Sequence, residues 1–174
     1  MTQEKKTVGG EKGPVGLDVL ENVLSYYIRT LNMAVSRDLD EKLEGYEVAK
    51  GTGKITTLFL VDAHPGIRPS VIAQLILRDR SAMVRLIDQM EEQGLVTRRA
   101  DGDDNRAQGL YITPHGAELA RRVRPIVVKQ SRSFFPDITD EEHAMLISVL
   151  SRTYRRIVGL SNEGTGETAG ENNE

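Results

Sequence analysis

The 174-residue chain contains no cysteine, which excludes a disulfide, a thiol switch and any thiolate metal site. Histidine is scarce: His64, His115 and His143 stand far apart, without the close pairing of a zinc motif, and read as surface or capping residues. No apolar run of about 18 residues and no signal-peptide pattern is present, so a cytoplasmic chain without a membrane partner is expected. No nucleophile, base and orienting group fall together in a recognisable motif, which argues against an enzyme. No cofactor or metal is called for.

Two apparent motifs fail on spacing. The run Asp101 to Asn105 looks like the start of a calcium loop, but Arg106 and Ile112 stand where that loop needs glycine and glutamate. Gly53-Lys54 suggests a phosphate loop, yet the required earlier glycine is Val48. Lys50, Gly51, Gly53 and Lys54 do precede a helical pattern from about 54 to 64, where free amides attract anions, but a plain helix-helix turn is the favoured account of them.

What the chain does have is an ordered set of elements between Ile67 and Gly116. Pro69 suits a first helical turn, and Val71, Ile72, Leu75 and Ile76 follow as an apolar stripe. Asp79 is a candidate N-cap for a second helix about four turns long, with Met83, Leu86, Ile87 and Met90 on its buried face. Arg80, Ser81, Val84, Arg85 and Asp88 fall on the opposite face. Gly94 and Leu95 fit a Schellman stop. Two strand-like segments, 96–100 and 108–113, then flank a turn-rich loop over 101–107. Helix, turn, helix and a projecting hairpin read as a winged helix-turn-helix for double-stranded DNA, with Arg106 at the hairpin tip suited to a narrow minor groove.

The net charge of −3 runs against such a partner until it is divided along the chain. The segment from Gly159 holds Glu163, Glu167, Glu171 and Glu174 and no base, leaving the remainder at +1. Phosphate attraction acts over roughly 8 Å at physiological salt, so local placement outweighs the total. Arg68, Arg78, Arg80, Arg85, Arg98, Arg99 and Arg106 all flank the second helix or the hairpin. The cluster Arg121, Arg122, Arg124, Lys129 and Arg132 alternates with apolar positions and reads chiefly as a solvated helix face.

Three further helical patterns surround this unit, over 18–44, 114–134 and 139–158. The first carries Leu20, Val23, Leu24, Tyr27, Leu31 and Val35 on one face; the second has Thr113 as cap and Leu119, Val123, Ile126 and Val127 at helical spacing. The third opens on a Thr139/Glu142 capping box and carries Met145, Leu146, Val149, Leu150, Tyr154 and Ile157. These stripes would close an intramolecular core or a dimer. Composition lacking apolar periodicity predicts disordered tails over 1–16 and 159–174.

Ile72-Ala73 through Gly116 resembles the DNA-binding core of the MarR family of bacterial transcriptional regulators. Three runs carry the likeness: Arg85 to Glu91 with Gly94-Leu95-Val96, Asp101 to Arg106, and Ile112 to Gly116. The stretch from Ile72 to Gly116 that holds them is roughly a quarter of the chain, and the flanking helices extend the match over about 140 residues, near one domain's usual size. The resemblance implies a mainly α fold with a small β-hairpin wing, a DNA-binding lobe over 53–113 within a single domain at 17–158, and a homodimer built from the terminal helices. It further implies a regulator, as a repressor in the leading reading, on a palindromic operator, reading DNA through Arg68, Arg78, Arg80, Ser81, Ala82, Val84, Arg85, Arg98, Arg99 and Arg106. Ala82-Met83-Val84 is more apolar than the family's usual hydroxyl-rich start, suggesting contact with thymine methyl groups. Asn105 stands where the family often has a second arginine. The family's peroxide-sensing branch is excluded by the lack of cysteine.

The resemblance also implies a pocket for a small-molecule effector between the dimer helices and the DNA-binding lobe. Tyr26, Tyr27, Arg29, Met33, Phe59 and His64 offer an aromatic and cationic mix suited to an aromatic acid, although a tyrosine and methionine stripe also fits a core. The competing function is a winged-helix protein-interaction module without DNA binding, for which Asn105 and the acidic loop are the hints.

Overall fold

Capping chemistry sets most element boundaries. A computed structural model describes residues 15–101 and 104–160, without the side chains of residues 52, 101 and 104–107. Both expected tails lie outside the described residues except for 15–16 and 159–160. Residues through Val35 and those from Ser36 onward cluster as two units, with the first long helix running from one into the other.

In the first unit the single helix expected over 18–44 is interrupted. A 3₁₀ turn at Asp18–Asn22 is followed by Val23 in extended conformation, and helix α1 occupies Leu24–Lys42. Asn22 competes with the backbone for hydrogen bonds and Val23 is β-branched, so both are weak helix formers. None of the described residues through Val35 is buried, and Leu24, Ile28, Leu31 and Met33 all lie exposed.

The second unit holds helix α2 (Thr52–Ala63), α3 (Pro69–Leu75) and α4 (Arg80–Glu92), strands β1 (Val96–Asp101) and β2 (Asp104–Ile112), then α5 (Pro114–Ser133) and α6 (Asp140–Ile157). Its core joins Leu43 and Val48 to Leu58, Ile72, Met83, Ile87, Met90, Leu95, Leu110 and Val123. The α4 face of Met83, Leu86, Ile87 and Met90 is buried as its spacing predicts. In α3 only Ile72 is buried and Val71 is 42% exposed, because a seven-residue helix presents less than one full stripe.

Gly94, at φ +66, ends α4 in a Schellman motif: the Leu95 amide donates to the Met90 carbonyl at 2.9 Å and the Gly94 amide to that of Glu91 at 2.8 Å. β1 and β2 pair antiparallel from Val96 opposite Ile112 to Ala100 opposite Gln108, and an irregularity follows before Asp101 meets Asp104. The expected loop over 101–107 is thus shorter than its composition suggests, since β2 begins at Asp104, with Asn105, Arg106 and Ala107 as extra residues between the Asp101–Asp104 and Ala100–Gln108 pairs. Turn-forming residues are recruited into a strand once a bulge supplies the extra length.

Thr113 fastens the hairpin base to α5. Its hydroxyl accepts from the Gly116 amide at 3.0 Å and donates to the Gly94 carbonyl at 2.5 Å, with the Leu95 carbonyl 3.2 Å away. Gly116 packs so closely on Leu95 that a Cβ there would overlap the Leu95 carbonyl oxygen. The capping box at Thr139 and Glu142 forms in full. Among the described residues no helix is long and apolar enough to cross a membrane.

Candidate nucleic-acid interface

With Met83, Leu86, Ile87 and Met90 turned inward, α4 presents Arg80, Ser81, Val84, Arg85 and Asp88 outward, all exposed; Ala82 is half-buried between the two faces. The helix start is built by Asp79, whose carboxylate accepts from the Ala82 amide at 2.8 Å and the Ser81 hydroxyl at 2.6 Å. Those bonds, Ser81's first, hold the Asp79 carboxyl below its ordinary pKa, so the cap is ionised at neutral pH. Two arginines therefore stand on the first two turns of a rigidly capped helix, one side of which is fixed to the core.

The remaining arginines divide into two groups. Arg68 precedes α3 and is exposed. Arg78 lies in the α3–α4 turn with its guanidinium against Gly53, at the start of α2, so that a Cβ on Gly53 would meet Nη2 at 2.9 Å. Arg99 is exposed and stacks over Tyr111, 4.8 Å from the ring centroid. Arg106 lies on β2, and its side chain is outside the described residues.

Arg98 differs from the expectation. Its guanidinium donates to Asp88 at 2.6 Å and to Glu91, while its amide donates to Glu91 Oε1 at 2.7 Å. With its side chain 23% exposed and both ends engaged on α4, it braces the hairpin against that helix and has no free fork for a phosphate. Sequence reasoning missed this because Asp88 and Glu91, three residues apart on a helix, carry no mark of a strand partner. The α5 cations are also engaged: Arg121 pairs with Glu118 at 2.6 Å, Arg124 with Asp62 at 2.7 Å, Arg132 with Asp140, and Arg122 lies over Tyr46.

The residues suggested for an effector fall in both units. In the first, Tyr26 and Tyr27 meet edge to face at 5.3 Å, the Tyr27 hydroxyl donates to the Glu21 carbonyl at 3.2 Å, and Arg29 and Met33 are exposed. In the second, His64 is exposed at the end of α2, whereas Phe59 lines a cavity of about 300 Å³ with Leu39, Ile55, Thr56, Leu60 and Val127. The Arg124 guanidinium sits 4.5 Å from the Phe59 ring centroid.

A helix-turn-helix followed by a two-stranded hairpin, with arginines on the exposed face of the second helix, defines a winged helix-turn-helix protein. Residues 53–107 match the MarR family. A Thauera aromatica protein named for transcriptional regulation of the hcr operon is 29% identical over 133 residues, which cover 76% of this chain and 80% of that one. CouR, a transcriptional repressor solved on a 23-mer DNA duplex, superimposes with a TM-score of 0.74 at 22% identity, covering 82% of this chain and all of CouR. MepR of S. aureus, solved as a DNA complex, gives 0.68 at 21% identity over 77% of this chain and 98% of MepR. The chain is therefore similar to the MarR family over its winged-helix segment, and to the MepR and CouR folds over most of its length.

Proposed function

We propose that this protein is a sequence-specific transcriptional regulator that binds double-stranded DNA as a homodimer, with α4 in the major groove and the β1–β2 hairpin on the adjacent minor groove. The observation that carries this reading is the outward face of α4, where Arg80 and Arg85 bracket Ser81 and Val84 on a helix whose opposite face is locked into the core. Arginine reads guanine bidentately and Val84 fits a thymine methyl. Support comes from MepR and CouR, both similar in fold and both solved on DNA.

The homodimer is supported by apolar surface that a lone chain leaves in water. Met145, Leu146, Val149, Leu150 and Ile157 of α6 are each 43–68% exposed, and within the first unit Leu24, Ile28 and Leu31 are 45–73% exposed. Two-fold symmetry then sets two recognition helices on a palindrome whose half-sites lie about 10 base pairs apart. Repression is the proposed outcome of occupying such an operator.

The cavity beside Phe59 supports regulation by a small effector with an aromatic or aliphatic body, since every lining residue except Thr56 is apolar. Such a ligand shifts DNA occupancy only if it prefers the DNA-incompetent state, by about 1 to 3 kcal/mol for an ordinary response.

Selection from randomised duplex DNA, followed by a salt titration of the winning fragment, tests the main reading. A palindrome with steep salt dependence is expected. No enrichment of any sequence would move the assignment to a winged-helix protein-interaction module.

A further inference from the structure

The carbonyls ending α3 are all satisfied, but not all locally. Ile76, Arg78 and Leu77 amides donate to the carbonyls of Ile72, Ala73 and Gln74 at 2.9, 2.9 and 3.2 Å. The last carbonyl, that of Leu75, accepts from the Tyr154 hydroxyl of α6 at 2.9 Å. In return the Gln74 side-chain amide donates to the carbonyl of Val158, the C-cap of α6, at 2.7 Å. Each helix thus caps the other's C-terminus across about eighty residues of sequence.

Two helix C-termini carry partial negative charge, so their approach is unfavourable unless donors stand between them. Tyr154 and Gln74 are those donors. Val158 is only 2% exposed, although no residue within α6 itself is buried, so the joint closes on an apolar contact as well. The chain between Leu75 and the α4 cap, Asp79, is three residues long and passes through Leu77 at φ +53, a left-handed conformation costly for a branched side chain and held only by its surroundings.

We propose that the Tyr154–Leu75 and Gln74–Val158 pair is a positioning joint that couples α6 to the recognition helix, so that the setting of α6 fixes where α4 meets DNA. This rests on the DNA-binding reading above. Tyr154 and Gln74 touch no base; they hold the Leu77 turn, which holds the Asp79 cap. The apolar face of α6 and the reading face of α4 are thereby joined through a short, strained connection instead of through the core.

The test uses the full-length chain and the variants Tyr154→Phe, which removes one hydroxyl and keeps the ring, and Gln74→Ala. Hydrogen exchange of the DNA-free protein should quicken at the Leu77 to Ala82 amides in both variants and stay unchanged in β1. Affinity for the selected operator should fall roughly three- to tenfold, the weight of one modest hydrogen bond, with affinity for random duplex unchanged. The double variant should lose little more than either single one, because the two bonds act as one joint. Unchanged exchange in the α3–α4 turn overturns the proposal, as does quickened exchange with wild-type operator preference, or an equal loss on operator and random DNA. If the wild type selects no DNA at all, the regulatory reading fails first and the joint has no recognition role.

Discussion

The carbonyl oxygen of Leu95 fills the space that a side chain at Gly116 would need. The turn that ends α4 and the start of α5 therefore touch backbone to backbone, and glycine is the residue that permits it.

Gly116→Ala is expected to destabilise the protein by at least about 2 kcal/mol, since the obstacle is main chain and cannot rotate away. Denaturant unfolding at constant m-value measures this. Wild-type stability would mean that α5 can slide off Leu95 without cost.

Arg98→Ala should cost roughly 1 kcal/mol in stability, because Asp88 is half exposed and water screens that bond. Its larger effect is on DNA: with the hairpin no longer braced against α4, preference among A·T-rich flanks should weaken while preference at the half-site centre persists. Loss confined to the half-site centre would mean that Arg98 leaves Asp88 and Glu91 to read a base.

Arg85→Ala should weaken operator binding by about 1 to 3 kcal/mol and relax selectivity at one base pair. A uniform loss over all sequences, together with a shallower salt slope, would instead make Arg85 a phosphate contact.

Thr57 is fully buried on α2, and its hydroxyl finds no hydrogen-bond partner. Thr57→Val replaces that hydroxyl with a methyl of similar volume and should raise stability by about 1 kcal/mol, read from the unfolding midpoint. A lower midpoint would show that the hydroxyl is satisfied in solution.

Asp38 joins α1 to α5, accepting from Lys42 and, at 2.9 Å, from the nearly buried Gln130. Lys42 first and Gln130 second hold its carboxyl below the ordinary range. A folded pKa below the unfolded value of about 3.9 gives stability that is complete above that pH and is lost as pH falls through the folded pKa. Asp38→Asn should therefore lower stability at neutral pH and flatten the fall below about pH 4. Identical acid limbs in the two proteins would remove Asp38 from the linkage.

What could be read from the sequence is what local chemistry decides. Asp79, Gly94, Thr113 and Thr139 announce helix ends because a cap is made within four residues of its partner, and all four act as their types predict. The buried face of α4 was legible for the same reason, through its spacing. The start of β2 at Asp104 depends on a bulge that composition does not mark, and the engagement of Arg98 and the meeting of Gln74 with Val158 depend on partners from 7 to 84 residues away. Turn composition argued for a loop where β2 instead begins at Asp104, and a basic residue beside α4 argued for DNA where the structure pairs it with two carboxylates. No periodicity separates a braced arginine from a free one.

The hairpin is fastened at its base, by Arg98 on α4 and by Thr113 and Gly116 around Leu95. A one-residue deletion between Gly94 and Val96, or between Thr113 and Gly116, would uncouple helix, hairpin and α5 together. Three elements thus share one seam at Leu95, and the aim of α4 is set by the length of chain on either side of it.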